Sequence, residues 1–106
     1  MLQESALTRL AKWYGAQCDR GWEHRYGITI ETLDNPGWIL KVDLADTNLQ
    51  VVPFESIEHR LDSDTSWWRC WREGNAFNAA CGAMDLPTVI DIFLTWANQG
   101  SVPRGT

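Results

Sequence analysis

The tetrad Asp34-Asn35-Pro36-Gly37 stands between two runs that alternate apolar and polar side chains, and it constrains the fold more than any other feature of the chain. Before it, Tyr26, Ile28 and Ile30 share one side and Thr29 and Glu31 the other. After it, Trp38, Leu40, Val42 and Leu44 oppose Lys41 and Asp43. A period of two belongs to a half-buried strand, and two such runs around a turn-forming tetrad predict a β-hairpin. Proline sets one φ in that turn, and Gly37 is expected to adopt a conformation that only glycine takes cheaply. Runs at 67–73 and 76–81 around Gly74-Asn75 predict a second hairpin. With a two-residue loop, Trp68 faces Cys81, Cys70 faces Ala79 and Arg72 faces Phe77. Trp67, Arg69 and Trp71 then fall on the opposite side with Asn78 and Ala80.

Helical periodicity brackets these strands. Over residues 2–17, Leu2, Ala6, Leu10, Trp13 and Tyr14 recur at steps of three and four, while Glu4, Arg9 and Lys12 take other faces. Over residues 86–98, Leu86, Val89, Ile90, Phe93, Leu94, Trp96 and Ala97 make a wide apolar face. Asp85 is placed to cap that helix, Pro87 sits in its first turn and Gly100 lies just past its end. Between the hairpins, 45–48 reads as a turn and 49–54 as a strand that Pro53 confines to an edge. Residues 55–66 read as a polar connection. The order predicts an α+β domain over residues 1–100, an antiparallel sheet of four to five strands with an N-terminal and a C-terminal helix on one face. The other face is left at least partly open. Residues 101–106 are read as a flexible tail. Val102-Pro103-Arg104-Gly105 within it resembles a thrombin cleavage sequence and carries no functional weight.

A chain of 106 residues fits one domain, and a 44% hydrophobic fraction with seven tryptophans supplies one core. No run approaches the roughly 20 apolar residues of a membrane span. The opening Met1-Leu2-Gln3-Glu4-Ser5 lacks the basic and apolar regions of a secretory signal, so a soluble cytoplasmic protein is expected. Nine basic against 14 acidic residues leave a net charge of -5. That balance argues against nucleic acid as a partner and suits a basic protein, whose approach it steers. The three cysteines, Cys18, Cys70 and Cys81, are odd in number and lack close metal-type spacing, so buried reduced thiols are expected.

Candidate chemistry is sparse. Cys18, Asp19, Glu23 and His24 lie close in sequence but match no closed zinc pattern, and His59 falls in the polar connection. Neither metal nor cofactor is expected. Cys81 precedes a helix whose N-terminus favours a thiolate. A sulfurtransferase would cradle its persulfide in backbone amides with an arginine, and Ala83, Met84 and Asp85 offer no arginine. No Ser/His/Asp set, glycine-rich phosphate loop or carboxylate pair is evident, so the chain is not read as an enzyme. Trp13, Trp22, Trp38, Trp68 and Trp96 have places in the core. Trp67 and Trp71 point away from it with Arg69 between them, residue types enriched at protein interfaces. Exposed, they make a contact surface; covered by loop 55–66 or by a twisted sheet edge, they are structural.

Trp13-Tyr14, Cys18-Asp19, Trp22-Glu23-His24, Tyr26-Gly27, Thr32-Leu33-Asp34-Asn35-Pro36-Gly37-Trp38 and Ala80-Cys81-Gly82 resemble the immunity protein 53 family of bacterial polymorphic toxin systems. The resemblance runs from about residue 9 to 97. It implies a protein that binds and neutralises a cognate toxin, often a nuclease, delivered by a neighbouring cell. Two departures stand out: Gly21, where the family leads us to expect an acidic residue, and the tryptophan-rich segment 63–71. Toxin-specific contacts are expected where the chain departs from its relatives. That places the partner-binding site on the open sheet face, at Trp67, Arg69 and Trp71 with Glu31 and Asp43 as acidic neighbours. The competing surface is the loop and turn set Asp19, Glu23, His24, Asp34 and Asn35. Alternative functions are a small-molecule or carbohydrate-binding domain using the tryptophans, or a small enzyme using Cys81 or His24. No motif names the toxin or the oligomeric state.

Overall fold

Two antiparallel hairpins meet along a common seam. In the computed structural model, which describes residues 4–34, 36–60 and 65–101, β1 (Ile28–Leu33) pairs with β2 (Gly37–Asp43) and β4 (Trp68–Glu73) with β5 (Ala76–Cys81). β2 lies antiparallel to β5, and the short β3 (Ile57–His59) adds outside β4, so the five strands run β1-β2-β5-β4-β3. The second hairpin has the predicted register: Trp68 pairs with Cys81, Cys70 with Ala79 and Arg72 with Phe77. Its two-residue loop places Gly74 at φ 59°, a left-handed conformation that glycine adopts without strain.

Among the described residues three helices complete the fold: α1 (Ala6–Gln17), the single turn α2 (Trp22–Arg25) and α3 (Leu86–Ser101). α1 packs on α3, and α3 on β2 and β5. One sheet face is thereby covered. Leu40, Val42, Cys70, Phe77, Ala79 and Cys81 from that face join Leu10, Val89, Ile90, Phe93, Leu94 and Ala97 from the helices in one core. Side chains such as Phe77 and Phe93 are wholly buried, each worth roughly 1.5–3 kcal/mol of transfer free energy. Phe77 meets Phe93 at 5.1 Å and Trp96 at 6.1 Å, and Trp13 meets Phe93 edge-on at 5.0 Å. The α+β architecture with both long helices on one face is the expected one.

Several boundaries differ from expectation. α1 begins at Ala6 because the Ser5 hydroxyl accepts the Thr8 amide at 3.1 Å and caps the helix there. α3 continues through Gly100, within the residue or two by which helix ends vary. The strand expected at 49–54 is instead a succession of turns, Thr47 N–H to Leu44 C=O, Gln50 to Thr47 and Val52 to Leu49. Arg72 explains the exchange. Its guanidinium donates to the carbonyls of Leu49 (3.0 Å), Gln50 and Val52, while its Nε donates to Gly74 C=O at 2.9 Å. Carbonyls bonded to one planar fork do not need a neighbouring strand.

Conversely, the polar connection contains β3. Its three residues are all exposed, so no burial alternation marks it. Ile57 nevertheless pairs with Cys70, and the His59 ring stacks on Trp68 at 4.0 Å with 15° between planes. Of the expected tail 101–106, Ser101 ends α3, and residues 102–106, like Asn35, lie outside the described residues.

Candidate functional site

Strand parity defines the second sheet face. Residues paired across neighbouring strands point the same way, so Glu31, Ile39, Ala80, Arg69 and Glu58 form one row across all five strands. Thr29, Lys41, Asn78 and Trp71 form the next. None of these joins the core cluster, and every one is exposed or only partly buried. This is the face opposite the helices, and it carries Trp71, Arg69, Glu31 and Asp43 as expected.

Within the face, Arg69 and Trp71 are in direct contact. The Arg69 guanidinium lies 4.9 Å from the centre of the Trp71 ring, and its Nε is 3.6 Å from a Glu58 carboxylate oxygen. Trp71 Nε1 reaches Glu73 at 3.4 Å. A cation held over an indole and beside a carboxylate is a modest interaction at an exposed site, about 0.5–1 kcal/mol. It still fixes where both side chains sit. Glu58 and Glu73 are functional candidates that the sequence reading missed, Glu58 because its strand was not foreseen.

The remaining predicted members are more scattered. Glu31 shares Arg69's row but lies three strands away, roughly 14 Å at the usual strand spacing. Asp43 is committed to the fold, accepting the Gly27 amide at 2.9 Å. Trp67 precedes β4 on the same face, where its carbonyl accepts the Gly82 amide at 2.9 Å. Gly82 is required at that point. A Cβ there would stand 2.9 Å from the Asp85 carboxylate and 3.3 Å from the Trp67 ring.

The competing set does not come together. Asp19, Glu23 and His24 precede β1, whereas Asp34 follows it, so the strand separates them by roughly 20 Å. Asp19 and Glu23 instead form a reciprocal cap. Asp19 Oδ1 accepts the amides of Gly21 (3.0 Å) and Trp22 (2.9 Å), and Glu23 accepts those of Asp19 (3.0 Å) and Arg20 (2.9 Å). Backbone amides of Trp22 and Gly21 hold the Asp19 carboxyl below its ordinary value. The Glu23 carboxyl is lowered by its own amide first and by those of Asp19 and Arg20. These bonds also hold Arg20 at φ 77°, a left-handed conformation costly for a non-glycine residue. His24 and Asp34 are exposed.

Cys18 is partly exposed, contrary to expectation, whereas Cys70 and Cys81 are buried and differ sharply from a catalytic arrangement. Burial pushes the Cys70 thiol up to about 12 and, with Asp85 nearby, the Cys81 thiol up to about 11. Both are fully buried, the reverse of the accessible, low-pKa thiol that nucleophilic chemistry requires. Among the described residues no helix is long and apolar enough to cross a membrane.

These features define a small α+β fold with one sheet face sealed by helices and the other, among the described residues, free of any helix. Residues 7–98 match the family model described as Immunity protein 53, and the chain belongs to that family. Comparison with curated proteins and with solved structures gave no match.

Proposed function

We propose that the chain neutralises a cognate toxin by laying its uncovered sheet face over the toxin's working surface, in the cytoplasm of the cell it protects and without a cofactor. The observation that carries this reading is the contact pair Arg69–Trp71 on a face that no helix covers among the described residues. Family membership supplies the immunity role, and the face supplies the means. Tryptophan and arginine dominate binding energy at interfaces, and Trp67 extends the same patch. Glu31, Glu58 and Glu73 outnumber Lys41 and Arg69 on it, in a chain of net charge -5. An acidic face fits a basic toxin. A nuclease is the enzyme class this favours, because surfaces that hold phosphate backbones are basic.

The test compares Trp67→Ala and Trp71→Ala with Asp19→Ala and Asp34→Ala, scoring folding by circular dichroism and protection by co-expression with the toxin encoded beside the gene. The tryptophan variants are expected to fold and to lose toxin affinity by about thirtyfold each, the scale of an interface hot spot. Association is expected to slow as salt rises. Tryptophan variants that unfold, alongside aspartate variants that fold but fail to protect, place the site on the loops instead.

A further inference from the structure

The two edges of the sheet are unlike. β3 is three residues long, the usual way of blunting an edge. β1 is the other edge, with six residues in unbroken register with β2 and neither proline nor lysine among them. Its side away from β2 has no strand partner among the described residues, and alternate residues turn their N–H and C=O groups outward there.

We propose that β1 pairs with β1 of a second copy of this chain, antiparallel about a two-fold axis at Ile30, joining the two sheets into one. Charge along the strand supports this occupant. His24 and Arg25 precede β1, while Glu31 and Asp34 lie in its second half and just beyond it, and all four are exposed. Antiparallel pairing sets Arg25 of each copy, held only loosely by Asp46 at 3.8 Å, against the acidic tail of the other, so Arg25 approaches the second copy's Asp34. Centred on Ile30, the register faces Thr29 with the second copy's Glu31 on the uncovered side. Ile28 meets Thr32, and Ile30 meets its own counterpart, on the helix side. Slipping by two residues, which keeps the faces matched, opposes Glu31 to Glu31 in one direction and Thr29 to Thr29 in the other, and either slip loses the Thr29–Glu31 pairing.

The helix layer continues the seam. Leu7, Ala11 and Tyr14 form a stripe along α1 at steps of four and three, with Leu7 60% and Tyr14 37% exposed. Between this helix and Gly27-Ile28 lies an apolar groove of about 320 Å³. Pairing at β1 brings the second copy's α1 stripe toward that groove, while the face that carries Arg69 and Trp71 stays open in both copies.

Sedimentation equilibrium of the full chain over rising concentration tests the proposal, with a reversible dimer expected. Thr29→Glu opposes carboxylates at both symmetric positions and should raise the dissociation constant about tenfold, whereas Thr29→Lys should hold or tighten the dimer. Within one copy Thr29 neighbours Lys41, so the glutamate variant remains folded. Leu7→Lys should also weaken the dimer, and amide exchange along β1 should slow as concentration rises. A chain that stays monomeric at every concentration overturns the proposal. So does a dimer unmoved by both Thr29→Glu and Leu7→Lys, or one whose β1 amides exchange at the monomer's rate.

Discussion

The carboxylate of Asp85 accepts the backbone N–H of Trp67 at 2.9 Å, from 18 positions further along the chain. It also accepts the Ser66 hydroxyl at 3.3 Å, while the Asp85 carbonyl receives the Val89 amide at 3.2 Å. One residue thus joins the start of β4 to the start of α3. Asp85 is only 8% exposed, so its removal leaves the Trp67 amide without a partner. Asp85→Ala should destabilise by about 1–3 kcal/mol and Asp85→Asn, which keeps an acceptor, by less. Urea denaturation of the two variants gives the comparison, and equal losses would show that the Trp67 bond is not what matters.

Gly37 is needed, though for a different reason from the one its place in the turn suggested. Its φ is not left-handed. A Cβ there would lie 2.2 Å from the Cys81 carbonyl oxygen, because β2 and β5 approach closely at that end. Gly37→Ala should therefore cost about 2 kcal/mol or more, as overpacking against immobile backbone does. Gly15 in α1 makes the contrast: a Cβ there meets nothing within 4 Å, and Gly15→Ala should stabilise by about 0.5–1 kcal/mol. Melting temperatures that move together, rather than in opposite directions, would contradict this account.

Arg72 holds the segment after β2 by its carbonyls, and no lysine reproduces a planar fork. Arg72→Lys should destabilise by about 2 kcal/mol, with faster proteolytic cleavage within 47–53 than elsewhere. Cleavage spread evenly over the chain would mean that the turns stand without the clamp.

Asp19 and Glu23 predict an acid limb in the stability curve. Both carboxyls are lowered in the folded chain, so their contribution is complete above their ordinary values of 3.8 and 4.5 and is lost as pH falls through and below them. The variants Asp19→Asn and Glu23→Gln should be less stable at neutral pH and lose less on acidification. Thermal melts at neutral and acid pH measure the difference; parallel pH curves for wild type and variants would refute it.

How much of this was legible in the chain depends on how local each interaction is. The register of β4 with β5 follows from Gly74-Asn75 between alternating runs, and the helix faces follow from their own periodicity. Parity alone put Trp71, Arg69, Glu31 and Asp43 on one face. What stayed hidden depends on distant partners. Arg72 turns residues 49–52 away from strand geometry across at least 20 positions, and the all-exposed β3 leaves no apolar trace. Parity also says nothing of distance, so it could not show that Glu58, not Glu31, stands beside Arg69. The adjacency of Asp19 and Glu23 to the family motif suggested a surface, whereas their oxygens are taken up by backbone amides.

The two sealed thiols make the domain a clock for its own opening. Cys70 and Cys81 belong to the two strands of one hairpin, and both are beyond the reach of solvent while the helices cover them. A thiol-specific reagent reacts first with the partly exposed Cys18, which calibrates the reagent. The slow phases that follow then measure how often the centre of the sheet comes apart, and a partner that binds only the closed form lengthens them in proportion to its hold.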